Sequence, residues 1–225
     1  MMLLLAPSIL TADFGHLGDE IAAVTPFVDW FHLDVMDGHY VPNLTFDVST
    51  VEAVRRNSDL PLHVHLMIED PGRYAAGFRD AGADRISFHP EVVRDPAETI
   101  AVIQESGAGA GIAVHPDSGL EHVEKHLEEL DVVLVMTVRP GFGGQAFLGE
   151  VIPKIRVAAA LVDATERAVD VEVDGGVKLD NVDQVVGAGA QIVVAGSAIF
   201  DGVDAPAAAR RMRARLDNLE RGGPE

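Results

Sequence analysis

Three pairs of side chains able to bind metal or move protons stand two residues apart within apolar runs: His32 and Asp34, His63 and His65, Glu172 and Asp174. Alternate side chains of an extended strand share a face, so each pair projects opposite its neighbours Leu33 and Val35, Val64 and Leu66, or Val171 and Val173. The apolar neighbours must pack, which turns the polar pairs toward an interior. Unpartnered charges there would each cost several kcal/mol, so His32, Asp34, His65 and Asp174 must meet a cation or one another. Held together on a divalent ion, two imidazoles and two carboxylates suit zinc, iron(II), manganese or cobalt better than calcium, magnesium or copper(I). A buried His/Asp hydrogen-bond network satisfies the same residues without metal, and spacing alone leaves both readings open.

Other groups gather at the ends of such runs. Glycines cluster at Gly141, Gly143 and Gly144 around Phe142, at Gly175 and Gly176, and at Gly196 beside Ser197. Small residues admit close backbone approach, and amides at a following helix N-terminus would hold an anion such as phosphate; the plainer reading is tight turns. Met36, Met67 and Met136 are either core filler or an apolar lid that keeps water from a reacting centre. Glu172, one layer below Asp174, is expected to be a buried hydrogen-bond partner. Asp37 is expected to set the turn at Gly38. His39, His89 and His115 are expected at the surface or in hydrogen bonds, and His16, His122 and His126 facing solvent.

Eight apolar strand candidates position these residues, at 3–10, 28–36, 62–68, 84–89, 109–115, 132–138, 168–174 and 191–196. Helical periodicity falls between them at 48–56, 72–81, 96–106, 120–129, 150–164 and 181–187. Continuously apolar strands alternating with helices predict a parallel sheet covered by helices, and eight units predict a closed (β/α)8 TIM barrel with its chemistry at the strands' C-terminal ends. No linker interrupts the pattern, so residues 1–225 read as one domain, with a polar tail at 217–225 expected to fray.

Composition narrows the function. Of the 225 residues 48% are hydrophobic, enough for a well-buried domain, and 36 acidic against 17 basic residues leave a formal charge of -19. Nucleic acid and anionic membranes would be repelled on average. Zero cysteines exclude a thiolate nucleophile and any Cys-ligated metal. The apolar start at 1–5 has no basic residue before it and is broken by Pro7, so it reads as a first strand rather than a signal peptide, and no run is long enough to span a membrane. The expectation is a soluble cytoplasmic protein. No Gly-x-Gly-x-x-Gly follows the first strand, which argues against a dinucleotide.

These residues together resemble the ribulose-phosphate 3-epimerase family. The resemblance spans nearly the whole chain: Ala6-Pro-Ser-Ile-Leu10 with Asp13-Phe14, the long run Phe31-His-Leu-Asp-Val-Met-Asp-Gly-His-Tyr-Val-Pro-Asn-Leu-Thr-Phe46, Val64-His-Leu-Met67, Phe88-His-Pro-Glu91, Val135-Met-Thr-Val138 with Pro140-Gly-Phe-Gly-Gly-Gln145, and Val171-Glu-Val-Asp-Gly-Gly176. It implies one divalent metal per chain on His32, Asp34, His65 and Asp174, no organic cofactor, and Asp34 and Asp174 as the proton-transfer pair. It also implies Ser8, His65, Asp174 and the three glycine clusters around a sugar phosphate, the methionines flanking the intermediate, and a dimer or hexamer. The implied reaction is epimerisation of D-ribulose 5-phosphate at C3 through an enediolate.

The chain departs from the family pattern at Arg139, where Asn or an acid is usual, at His115-Pro-Asp-Ser118, at His63, where Asp is usual, and at Asp47. Arg139 is expected to meet the phosphate or a loop carboxylate. Two rivals use the same mouth differently: a 3-epimerase of a hexulose 6-phosphate such as allulose 6-phosphate, and a sugar-phosphate-binding barrel without catalysis. Decarboxylase or aldol chemistry would need a lysine at an inward strand end, and Lys125, Lys154 and Lys178 are not so placed.

Overall fold

The computed structural model describes residues 2–222. Eight parallel strands form one sheet: β1 (Leu4–Ala6), β2 (Phe31–Met36), β3 (Leu62–Met67), β4 (Arg85–Phe88), β5 (Gly109–Val114), β6 (Val132–Met136), β7 (Asp170–Asp174) and β8 (Ile192–Val194). Their order is β1-β8-β7-β6-β5-β4-β3-β2. Between β1 and β2 the ring closes by a single bridge, Ser8 with His32, and by the His32 amide donating to the Pro7 carbonyl at 3.0 Å. The expected strand at 3–10 is cut to Leu4–Ala6 because Pro7 ends it and Ser8 caps a short turn, its Oγ accepting from the Leu10 amide.

The helices are α1 (Leu17–Val24), α2 (Val48–Asn57), α3 (Pro71–Asp80), α4 (Pro96–Glu105), α5 (Glu121–His126), α6 (Ile152–Asp163), α7 (Val182–Val186) and α8 (Ala205–Glu220). Aspartates start several of them. Asp47, Asp70, Asp95 and Asp204 accept from amides in the first turns of α2, α3, α4 and α8, and a proline stands in the first turn of the last three. Such a cap stabilises a helix by about 1 kcal/mol, and proline loses nothing there because its missing N–H would have no helical partner.

Outward strand residues such as Leu33, Val64, Ile112 and Val173 pack with the helices in one large core. Inside the barrel the apolar filling is smaller and is interrupted by a buried polar layer of His32, Asp34, His63, His65, Ser87 and Glu172.

Two expectations are corrected. The polar tail begins within α8 rather than after it, because Arg213 holds Asp217 at 2.6 Å one turn on and also donates to the Leu3 carbonyl at 2.9 Å; the tail's end, 223–225, lies outside the described residues. His126, expected to face solvent, is buried at the end of α5, with Nδ1 3.2 Å from the Glu129 carboxylate.

Candidate metal centre and active site

Strand parity brings the four expected ligands together. His32, Asp34, His65 and Asp174 each offer one donor atom, and these atoms all lie within 4.8 Å of one another. The register explains this: Asp34 pairs with His65 across β2 and β3, while β7 delivers Asp174 from the facing side of the barrel. Asp34 Oδ1 is 3.0 Å from His65 Nδ1, and Asp34 Oδ2 accepts from Ser8 Oγ at 2.6 Å. His32 Nε2 is 3.3 Å from Asp34 Oδ1 but has no aligned partner, a fully buried nitrogen left without a hydrogen bond. Among the described residues the Asp174 carboxylate also has no hydrogen-bond partner.

Burial disfavours charge throughout this cluster, and neighbours decide which groups keep it. Burial opposes the His32 imidazolium, yet the carboxylates of Asp34, Glu172 and Asp174 outweigh it and hold its pKa well above the ordinary value. The same burial is outweighed at Asp34 by His32 and His65, which hold it far below the usual carboxylate range. Asp174 gains too little from His32 to offset burial and the repulsion of Asp34, so it is pushed upward. A surplus of negative charge with an orphaned nitrogen and an unpartnered carboxylate is what a divalent cation would relieve. The donor set therefore fits a metal.

Asp34 and Asp174 of this cluster line the floor of a pocket. Met36, Met67 and Met136 are all buried and line it beside the carboxylates. Its opposite wall is made by Gly141, Phe142, Gly143 and Gly144, with Gly175, Gly176, Gly196 and Ser197. Gly176 has φ 65, and a Cβ there would come within 2.6 Å of the Phe147 amide nitrogen, so only glycine fits. The glycines are followed by turns rather than directly by helices: Ile199 donates to the Gly196 carbonyl, α7 starts only at Val182 and α8 only at Ala205. Any anion there would meet turn amides, not the expected helix N-terminus.

Ser8 sits at the carboxylate end of the pocket, on Asp34. Of the two expected contacts for Arg139, the structure has the loop carboxylate: its guanidinium lies 3.2 and 3.3 Å from the two Asp117 oxygens. Asp37 behaves as expected, accepting from the amides of His39, Tyr40 and Glu69 around Gly38.

Four contributors lie outside the expected set. His89 is fully buried behind His65, with the two Nε2 atoms 2.9 Å apart, and its other nitrogen is 3.4 Å from Glu91, which also accepts from Tyr40 at 2.7 Å. The parity of Arg85, Ser87 and His89 was the available signal. Gln145 pins the glycine loop by donating to the carbonyls of Arg139 and Phe142, and Asn43 ties it to the β2 side through the Gly141 carbonyl at 3.1 Å. Thr11 joins the pocket wall.

The model of the "Ribulose-phosphate 3 epimerase family" matches residues 4–200. Among curated relatives, "Ribulose-phosphate 3-epimerase" of Mycobacterium leprae is 45% identical over 212 residues, covering 94% of each chain. The protein of the same name from Bacillus subtilis is 46% identical over 214 residues, covering 94% of this chain and 99% of its own. Solved structures share the fold at low identity. KGPDC from Streptococcus mutans superposes with TM-score 0.74 at 15% identity, covering 97% of this chain and 99% of that one. A 3-hexulose-6-phosphate synthase gives 0.70 at 21%, covering 95% and 99%.

Proposed function

The chain belongs to the ribulose-phosphate 3-epimerase family, an isomerase family of pentose phosphate metabolism, and we propose that its barrel mouth epimerises D-ribulose 5-phosphate to D-xylulose 5-phosphate. The observation that carries this reading is the placement of Asp34 and Asp174, delivered by β2 and β7 to one buried pocket floor. Inverting a carbon next to a ketone requires taking its proton from one face and returning a proton to the other. One carboxylate per face does both: each aspartate is the base for one epimer and the acid for the other.

Asp34 is held on both oxygens, Oδ2 accepting from Ser8 Oγ and Oδ1 lying 3.0 Å from His65 Nδ1, which fixes the carboxylate at the pocket wall. Asp174 has both oxygens unengaged, and its raised pKa suits a group that must hold a proton part of the time. The buried methionines exclude water from the planar intermediate, which water would otherwise protonate without regard to face. The glycine loops fit the phosphate by backbone approach. His32, Asp34, His65 and Asp174 would hold a zinc, iron(II), manganese or cobalt ion. When bound, that ion supplies positive charge beside the ketone oxygen and its neighbouring hydroxyl, where negative charge develops.

The proposal includes a cytoplasmic, homo-oligomeric enzyme, to be checked by cell fractionation and sedimentation. Among the described residues no helix is long and apolar enough to cross a membrane. The deciding experiment is turnover of ribulose 5-phosphate and allulose 6-phosphate side by side in deuterated water, with metal analysis. Expected are preference for the pentulose, deuterium at C3, about one ion per chain, and loss of activity on chelation. Preference for the hexulose overturns the substrate, and full activity in verified metal-free protein overturns the metal.

A further inference from the structure

The inward residues of the barrel fall in two layers, and one ligand spans both. Asp34, His65 and Asp174 form the upper layer; His32, His63 and Glu172 form the one beneath it, His32 and His63 being register partners. His32 therefore reaches its site from below. Its Nε2 points up into the ligand cluster without a partner, while its Nδ1 points down, 2.9 Å from Glu172 Oε1.

Glu172 is 1% exposed and its carboxylate is shared: His63 Nδ1 lies 2.9 Å from Oε1 and 2.8 Å from Oε2. With the Nδ1 atoms of both rings at 2.8 to 2.9 Å from its oxygens, the carboxylate accepts from each, which places a hydrogen on Nδ1 of both imidazoles. Once His32 gives up its other hydrogen to make way for a cation, the lone pair lies on Nε2, aimed at the ligand cluster. His63 is locked in turn, because its Nε2 takes the remaining acceptor role toward Ser87 Oγ at 2.7 Å. The neighbouring strand leaves room for that serine: Gly111 of β5 is its register partner, and a Cβ there would collide with Ser87 Oγ.

We propose that Glu172, braced by His63 and Ser87, is a positioning residue that fixes the tautomer and ring orientation of His32 for metal binding. The inference rests on the metal reading given above. Partners of this kind on a ligating histidine are worth about 10- to 100-fold in metal affinity. The three residues His32, His63 and Glu172 are themselves close enough to hold an ion. Their facing atoms are already engaged with one another at hydrogen-bond distance, which favours a brace over a second metal site.

The test is equilibrium competition for cobalt(II) or zinc against a chromophoric chelator, together with the cobalt absorption spectrum. Glu172→Gln removes one acceptor and should weaken affinity by about 10- to 100-fold and shift the spectrum. At saturating metal its KM for the sugar phosphate should stay within about twofold, because the residue touches no substrate. His63→Gln keeps a donor toward Glu172 and should lose less than His63→Leu. Ser87→Ala, the mildest change, should lose a few-fold and keeps the test alive if a Glu172 variant fails to fold. Unchanged affinity and spectrum in these variants, or two ions per wild-type chain, would overturn the brace alone. A wild-type protein that binds no ion would overturn the metal reading and the brace together.

Discussion

An acid faces a base at nearly the same distance in two places around the mouth. At the floor, Asp34 Oδ1 is 3.0 Å from His65 Nδ1, with side chains 5% and 0% exposed. At the rim, Asp117 Oδ1 is 3.2 Å from Arg139 Nη2, with both side chains about 60% exposed. Water and ions screen the second pair, so it contributes at most about 1 kcal/mol, while the first holds a desolvated Asp34 carboxylate that must stay partnered. Geometry alone would rank them as equals. Burial separates a floor that cannot lose its partners from a rim that can.

The largest effect should follow from breaking the floor. Asp174→Asn keeps a possible metal ligand but cannot take up a proton, and kcat should fall by about a hundredfold or more. Metal content must be measured alongside, since loss of the ion would mimic loss of the acid. Near-normal epimerisation by metal-loaded Asp174→Asn would remove the distinction, because the floor would then be no more sensitive than the rim.

A middle effect belongs to Glu91, a partly exposed carboxylate 3.4 Å from buried His89. Burial would raise its pKa, but His89 and Tyr40 outweigh this and hold it down to about 2. A carboxylate whose folded pKa is depressed contributes stability above its unfolded value, and that contribution is lost as pH falls toward the folded one. Glu91→Gln should therefore lower the denaturation midpoint at pH 7, with the difference shrinking below about pH 4.5 and gone near pH 2. A pH-independent difference in urea titrations would instead mean that Glu91 acts through packing alone.

The smallest effect should be at the rim. Arg139→Asn is expected to raise KM about two- to fivefold with kcat nearly unchanged, and added salt should narrow the gap. A large fall in kcat at constant KM would place the rim in the chemical step.

How much of this could be read from the chain follows the same division. The period-two alternation of His32 with Asp34, His63 with His65 and Glu172 with Asp174 was legible because each polar pair is set against obligate apolar neighbours, and the floor assembled as that parity requires. His89 escaped because it stands just past the last residue of β4, where a strand end and a loop start look alike. His126 escaped because its polar type suggests solvent, although it stands three residues after Val123 on the side of α5 that buried Leu120 and Val123 mark. The rim was less legible still. Nothing in Arg139 names Asp117, 22 residues earlier, as its partner, and the turns after Gly176 and Gly196 do not differ in composition from helix starts. In α8 the Arg213 and Asp217 pair, one helical turn apart, was a usable sign that the helix runs past residue 217.

The closing bridge between Ser8 and His32 ties the timing of synthesis to the appearance of the site. β1 is made first, yet its ladder partner is β8, with Leu4 opposite Ile192 and Ala6 opposite Val194. At about 5–20 residues per second, roughly 10 to 40 s separate the two strands as they leave the ribosome. Until β8 arrives, β1 has only the bridge at Ser8 and a few backbone hydrogen bonds to β2, and Ser8 also positions Asp34. The ring and the reaction centre therefore mature together, once β8 has emerged. A chain halted before β8 would present an open sheet edge and an Asp34 not yet held in place.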